Sequence, residues 1–222
     1  MFPAVDSTPM AANPLFALLG TPDESDADAP ILRAALEQFA LTGVRRTSTD
    51  DIARRAGINR ATLYRRLGAK SDIVAAAFLY EAGRVLTQID SGTGLLADHP
   101  ADAEIDDYIV RFCTTTLVTL RDNRLLHQLL EVDRDETLRA LTIGAGDVVE
   151  LASAFLAERI RLVRERSGGS TDASEIASLS AVLARLTQSL LLTPGGPPHL
   201  HSHAEITAFS ASVLVPLIRG RA

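Results

Sequence analysis

The apolar positions of this chain recur at intervals of three and four residues, the period of a helix buried on one face. Ile31, Ala35 and Phe39 form one stripe, with Leu32, Leu36 and Ala40 beside it. They predict a helix that starts near Asp28–Pro30, where proline is tolerated in a first turn, and ends at Gly43. Ile52, Ala53 and Ala56 make a stripe too narrow to stand alone, and Leu63 and Leu67 make another. Between these two, Gly57 stands where a helix end favours a left-handed residue without a Cβ. Ile73, Ala77 and Tyr80 share a face of a fourth helix from about Ser71 to Asp90, and Ser91–Gly94 with His99-Pro100 mark a joint.

Beyond the joint every segment reads helical. Ile105, Tyr108, Ile109, Phe112, Thr116, Leu117 and Leu120 form one long face, and Leu125, Leu126, Leu129 and Leu130 a shorter one. Val149, Ala152, Phe155, Leu156 and Ile160 face inward on a helix from about Gly146 to Arg166. Ile176, Leu179, Leu183, Leu186 and Leu190 fall at spacings of three and four, a coiled-coil-like seam that Pro194–Pro198 breaks. A last helix from about His203 to Pro216 carries Ile206, Phe209 and Val213, with Ala204, Ala208, Ala211 and Ser212 small enough for close approach. The fold class is all-α.

The segment Thr47–Lys70 organises the rest. Ser48 can cap the first short helix by accepting from the Asp51 N–H, while the Asp51 carboxylate accepts from the Ser48 N–H. Asn59 restarts the chain as a second cap. Arg60, Ala61, Thr62, Tyr64 and Arg65 then remain outward, a short surface without an acid. Two capped helices held across a glycine corner are the helix-turn-helix arrangement. Between Arg45 and Lys70 stand eight cations and two acids, a local balance of +6 in a chain whose net charge is −6. Such a patch draws phosphates through counterion release, whatever the base sequence.

Residues 31–81 resemble the N-terminal domain of the tetracycline-repressor (TetR) family of bacterial transcription regulators. The resemblance rests on Ala35, Phe39 and Gly43, the run from Thr47 to Ile58, the triplet Thr62–Tyr64, and Lys70 with Ile73. Leu67 stands where the family usually has Phe, and Ala69 where a capping Ser is common. The resemblance implies an N-terminal three-helix DNA-binding domain and a C-terminal helical domain for effector binding and dimerisation. The expected boundaries are 1–29 for an acidic mobile arm, 30–90 for the helix-turn-helix domain with its linking helix, and 91–222 for the rest. The implied function is a dimeric, sequence-specific transcriptional regulator, a repressor released from a palindromic operator by a small molecule. The alternative is a helical dimeric adaptor or ligand-binding protein that has lost DNA affinity.

Within that reading Arg60 and Thr62 lie nearest the base edges. Thr47, Ser48, Thr49, Tyr64, Arg65 and Lys70 serve phosphates, with Asn59 and Ala61 completing the interface. The homodimer is expected through Ile176, Leu179, Leu183, Leu186, Leu190, Ile206, Phe209 and Val213, since the family pairs its last two helices into a four-helix bundle. The middle helices are expected to enclose a cavity with Tyr108, Phe112, Thr116, Leu120, Leu126, His127 and Phe155 on its wall, suited to a hydrophobic or aromatic effector.

Composition narrows the classes further. Only one lysine, Lys70, is present among 22 basic residues, and residues 1–29 carry five acids and no base, the wrong sign for a DNA-touching arm. Cys113 is alone, which excludes an intrachain disulfide, and it reads as an inert core thiol. No run of 18 apolar residues or basic leader is present, so the expectation is cytoplasmic with no membrane partner. His199, His201 and His203 alternate in a Pro/Gly loop without a thiolate and read as solvated, so no metal or cofactor is expected. Gly144-Ala-Gly146 lacks the third glycine of a dinucleotide loop, and no nucleophile–base pair supports an enzyme.

Overall fold

The computed structural model describes residues 27–220, and no strand occurs among them. Its helices are α1 (Ala29–Thr42), α2 (Thr49–Arg55), α3 (Arg60–Leu67), α4 (Lys70–Thr93), α5 (Asp102–Arg121), α6 (Arg124–Val132), α7 (Arg134–Leu141), α8 (Gly146–Ser167) and α9 (Ala173–Leu192). A last rod begins as α10 (His203–Phe209), loosens through a π-helical turn over Ser210–Leu214 and ends as α11 (Val215–Arg219). The acidic arm, with the apolar turn expected near Met10–Gly20, lies almost wholly outside the described residues. Ala29, the last residue assigned to the arm, is buried at the start of α1.

Two apolar clusters hold the chain. The head cluster gathers Ile31, Leu32, Ala35, Leu36 and Phe39 of α1 with Ile52, Leu63, Ile73, Ala77 and Tyr80. The body cluster gathers Val85 and Ile89 with Ile105, Ile109, Phe112, Phe155, Ile160 and Ile176. Helix α4 belongs to both, because its first half presents Ile73, Ala77 and Tyr80 to the head and its second half Val85 and Ile89 to the body. It is therefore a rod buried at both ends, which transmits a tilt instead of absorbing it.

Several expected boundaries move. Helix α4 runs through Ser91 to Thr93, because the Ser91 and Thr93 hydroxyls donate to the Thr87 and Ile89 carbonyls of their own helix. The expected joint shrinks to Gly94 and the short loop before α5. Helix α7 has no counterpart in the apolar pattern, although Asp135 and Glu136 in its first turn and Arg139 in its last complement its dipole. The last rod passes through Pro216, directly after the π-helical turn in which the Val215 N–H donates to the Ser210 carbonyl.

The face assignment of α9 and α10 is corrected more deeply. Ile176 and Leu183 are buried, and Leu179 and Leu186 pack on the body cluster. Ile206 is buried and Phe209 packs on the body as well, so of the expected dimer seam only Val213 is exposed. The three-four stripe is the inward face of each helix, α9 lying along α8 and α10 along α5. The apolar residues left outside are Val182, Val213 and Leu217, at 63%, 41% and 47% exposure. Helix α9 is long and apolar enough to cross a membrane by composition, yet one face of it is built into this core.

Arginines tie the body together. The Arg164 side chain is buried and donates to the Ile218 and Ser170 carbonyls and to Glu175, closing α8, the following loop and the C-terminal rod into one unit. Arg159 on α8 pairs with Asp90 on α4 in a largely buried position. Cys113 is buried, and burial alone pushes its thiol up to about 12, which makes it inert at neutral pH.

Candidate nucleic-acid interface and effector chamber

Both short helices of the head begin on caps that the sequence predicts. The Ser48 Oγ accepts from the Asp51 N–H at 3.1 Å, and the Asp51 carboxylate accepts from the Ser48 N–H at 3.0 Å. The Ser48 hydroxyl, which donates to the Asp51 carboxylate at 2.6 Å, and then the Ser48 N–H hold that carboxyl below its usual value, with Arg54 adding to the effect. Gly57 sits at φ +69°, where a side chain would be strained, and turns the chain by a corner of two residues. The Asn59 side-chain Oδ1 then accepts from the Thr62 N–H at 2.8 Å and starts α3. At α4 the missing cap hydroxyl leaves half a box, in which the Asp72 carboxylate accepts from the Ala69 N–H at 2.8 Å.

Helix α3 buries only Leu63, so the rest of its side chains are available. Arg60, Ala61, Tyr64 and Arg65 are exposed, and Thr62 is half-buried. The Arg60 guanidinium lies 5.3 Å from the centre of the Tyr64 ring and pairs with Asp50 at 3.2 Å. The Tyr64 hydroxyl meets Thr49 at 3.3 Å and Arg60 at 3.4 Å. These hydrogen bonds, Thr49 first, lower the phenol from its usual value, while the bond to Tyr64 and then the Asp50 charge raise Arg60. The Asp50–Arg60–Tyr64–Thr49 chain orders an arginine that would otherwise lose rotamer freedom on meeting DNA.

Other expected contacts are placed differently. Thr47 is buried and gives its hydroxyl to the Gly43 carbonyl at 2.8 Å, so its side chain supports the α1–α2 turn from inside. Thr49 is buried beneath Tyr64. Ser48 stays exposed, with its hydroxyl on Asp51. The Lys70 ammonium donates to the Arg45 carbonyl at 3.0 Å. Three acids from outside the segment also pair with its cations, Asp28 with Arg66, Glu37 with Arg55 and Asp133 with Arg45. The balance counted along the sequence therefore overstates the positive charge of the surface, to which Arg46 and Arg65 contribute exposed guanidiniums.

Asp133 had no local signal in the sequence. It stands between α6 and α7 with its side chain 7% exposed, and accepts from the Arg45 N–H at 2.8 Å with the Arg45 guanidinium at 3.5 Å. It lies directly over Gly43 (φ +85°), where an added Cβ would come within 2.9 Å of the Asp133 Cβ. Helix α6 also sends Leu129 and Leu125 into the head cluster. Head and body thus meet at a second place besides α4.

A chamber of about 170 Å³ opens between α4, α5, α6, α8 and α9. Five expected residues line it, namely Phe112, Thr116, Leu120, Leu126 and Phe155. The other two do not. Tyr108 is packed in the body core, where burial raises its phenol, and His127 faces outward with Nε2 2.6 Å from the Arg121 carbonyl oxygen. A helix wheel shows which residues share a stripe but not which of them borders an empty volume. The polar wall groups that sequence reasoning missed are Glu81 on α4, Asn123 at the start of α6, and Thr187 and Gln188 on α9. Leu36, a head residue, reaches the same wall.

A second, wider hollow of about 470 Å³ lies beyond Leu120, Leu126 and Leu191, where His127, Arg134 and His201 face solvent. The alternating histidines are exposed there, and no group of metal-ligating side chains occurs among the described residues.

Residues 31–77 match the family described as bacterial regulatory proteins, tetR family. Uncharacterised HTH-type transcriptional regulators of Mycobacterium bovis and Mycobacterium tuberculosis are 28% identical over 167 residues, covering 74% of this chain and 82% of theirs. Among solved structures, the chain is similar in fold to the TetR family repressor AlkX of a Dietzia species, implicated in biodegradation of n-alkanes. That likeness has a TM-score of 0.63 and 18% identity, and covers 88% of this chain and 100% of the other. The repressor QsdR of R. erythropolis is similar at a TM-score of 0.56 and 17% identity, covering 85% and 94%.

Proposed function

We propose that this chain, a tetR-family transcriptional regulator by its helix-turn-helix head, works as a homodimeric repressor that leaves its operator when a small apolar molecule fills the body chamber. The observation that carries this reading is α4. One helix is buried in the head at Ile73 and Tyr80 and borders the chamber at Val85 and Ile89.

Arg60, Ala61, Thr62 and Arg65 reach toward the major groove from α3, with Arg60 and Thr62 in the first turn nearest the base edges. Ser48, Tyr64, Arg46 and Arg65 hold phosphates. Dimerisation uses the outward faces of the last two long helices, Ser178, Val182 and Arg185 on α9 and Ala208, Val213 and Leu217 on the final rod, since the apolar stripe expected for it is spent on the core. Val182→Glu should then shift sedimentation from dimer to monomer with the fold intact, whereas Leu183→Glu should unfold the body, because it buries an unpaired charge. A Val182→Glu protein that remains dimeric at micromolar concentration removes this face from the reading.

Two heads enter successive major grooves when they sit about 34–36 Å apart. A tilt of α4 changes that spacing, and Asp133 at the end of the chamber-lining α6 restrains the same head from the other side. The test is selection of bound duplexes from random DNA at fixed salt. A palindrome with half-sites one helical turn apart is expected. Recovery of no enriched sequence would favour the helical adaptor instead.

A further inference from the structure

The chamber wall carries one ionisable side chain, Glu81, and no Lys, Arg or His. Glu81 is a carboxylate held by Arg84 at 3.0 Å and by the Asn123 amide at 3.5 Å. The guanidinium of Arg159 comes near through the Phe155 ring, 4.9 Å from its centre, but its charge is met by Asp90. The cations Arg121, Arg134, His127 and His201 belong to the outer hollow, across the wall formed by Leu120, Leu126, Leu191 and Leu192. An anion in the chamber would lose its water, find no positive partner and face Glu81, all of which disfavour it against a neutral molecule of the same length.

The other hydrogen-bonding groups of the wall are neutral. Thr116 and Thr187 give their hydroxyl protons to the Phe112 and Leu183 carbonyls of their own helices. Gln188 lines the chamber and its amide donates to the Leu141 carbonyl at 2.7 Å, which fixes the side chain and leaves its oxygen and a second N–H without a partner on Leu141. Asn123 donates to Glu81 and accepts from the Leu126 N–H. Apart from the Glu81 carboxylate, what remains for a ligand is neutral, the Gln188 and Asn123 amides and the Thr116 and Thr187 oxygens, so a hydroxyl finds partners there while a carboxylate finds no opposite charge.

We propose that the chamber selects an uncharged, mainly apolar molecule with one hydrogen-bond donor, of the alkanol or phenol class, which donates to the Gln188 oxygen, and that it rejects carboxylates of the same length. This rests on the chamber being the effector site. The volume suits such a molecule, being roughly ten times the ~15 Å³ that a single water needs.

The experiment is displacement of the neutral dye N-phenyl-1-naphthylamine from the full chain at pH 8 by 1-octanol, octanoate and octylammonium. Octanol is expected to displace the dye at least ~100-fold more tightly than octanoate, and more tightly than octylammonium. Octanoate within tenfold of octanol would overturn the charge selection and leave the chamber as an effector site. Failure of the dye and all three probes to bind would remove the site itself. Gln188→Leu, compared at equal dye affinity, should weaken octanol by about 3- to 10-fold, the share of one neutral hydrogen bond. Unchanged octanol affinity in that variant would overturn the assignment of the donor to Gln188.

Discussion

The exposed α2–α3 face and the chamber of this molecule are built from opposite chemistry. The α2–α3 face is exposed, cationic and fixed by short-range hydrogen bonds among neighbours in sequence, such as Ser48 with Asp51 and Arg60 with Tyr64. The chamber is apolar, without a cation on its wall, and fixed by packing among helices far apart in the sequence. Binding at the first would rest on charge that salt can screen, and at the second on shape and desolvation, which salt barely touches.

The largest expected effect tests that contrast directly. A dimer with six to ten phosphate contacts should lose roughly 10³- to 10⁵-fold in operator affinity between 50 and 200 mM salt. Over the same range octanol binding should change by less than about twofold. Fluorescence anisotropy and dye displacement in matched buffers measure both, and parallel salt slopes would break the comparison.

Next in size is a cavity substitution. Phe155 is buried against Phe112, with ring centres 5.9 Å apart, and borders the chamber. Phe155→Ala should cost about 3–5 kcal/mol in denaturant unfolding, while the operator salt slope of the folded protein stays as in wild type. A changed slope would mean that the chamber reaches the phosphate contacts.

Substitutions on the charged face should cost less. Arg60→Ala should weaken the operator by about 1–3 kcal/mol and relax preference at one position per half-site. Lys70 sharpens the comparison, because its ammonium is bonded to the Arg45 carbonyl instead of standing free. Lys70→Ala should therefore weaken all duplexes alike, reduce the salt slope, and loosen the α1–α2 turn, seen as faster amide exchange at Arg45–Thr47. Base preference that follows Lys70 and ignores Arg60 would reverse the two roles.

The smallest effect is the response of a single cap to acid. The folded Asp51 carboxyl is lowered by its bonds to Ser48, so the cap contributes fully above the unfolded value near 3.9. That contribution is lost as pH falls through the lowered folded value. The protection of the α2 amides, their exchange referred to the intrinsic rate at each pH, should fall from pH 5 to pH 3 in wild type, and Ser48→Ala should flatten the fall.

The same contrast explains what could be read from the sequence. Ser48, Asp51, Gly57 and Asn59 act on partners two to three residues away, so the head was legible before any fold was known. The stripe Ile176–Leu190 shows that α9 has a buried face, but a spacing of three and four is satisfied equally by a partner subunit and by α8. Only the packing decides, and here α8 and the body core take that face. Tyr108 and His127 illustrate the same limit, since a polar residue on an apolar helix can border a cavity, a core or solvent. Asp133 is the extreme case, because its partner Arg45 is 88 residues away.

Leu129 has a consequence for how such regulators recombine. It stands on α6, far along the chain, yet is buried in the head cluster, with Leu125 packed beside it and Asp133 closing the turn over Gly43. A cut after Thr93 looks like a clean boundary but leaves these three side chains with the body. A chimera made there would carry a foreign α6 against α1 and a vacancy over Gly43. The transferable module is discontinuous, residues 29–93 together with 124–133, and a graft of both segments should fold and read its operator where the first alone would not.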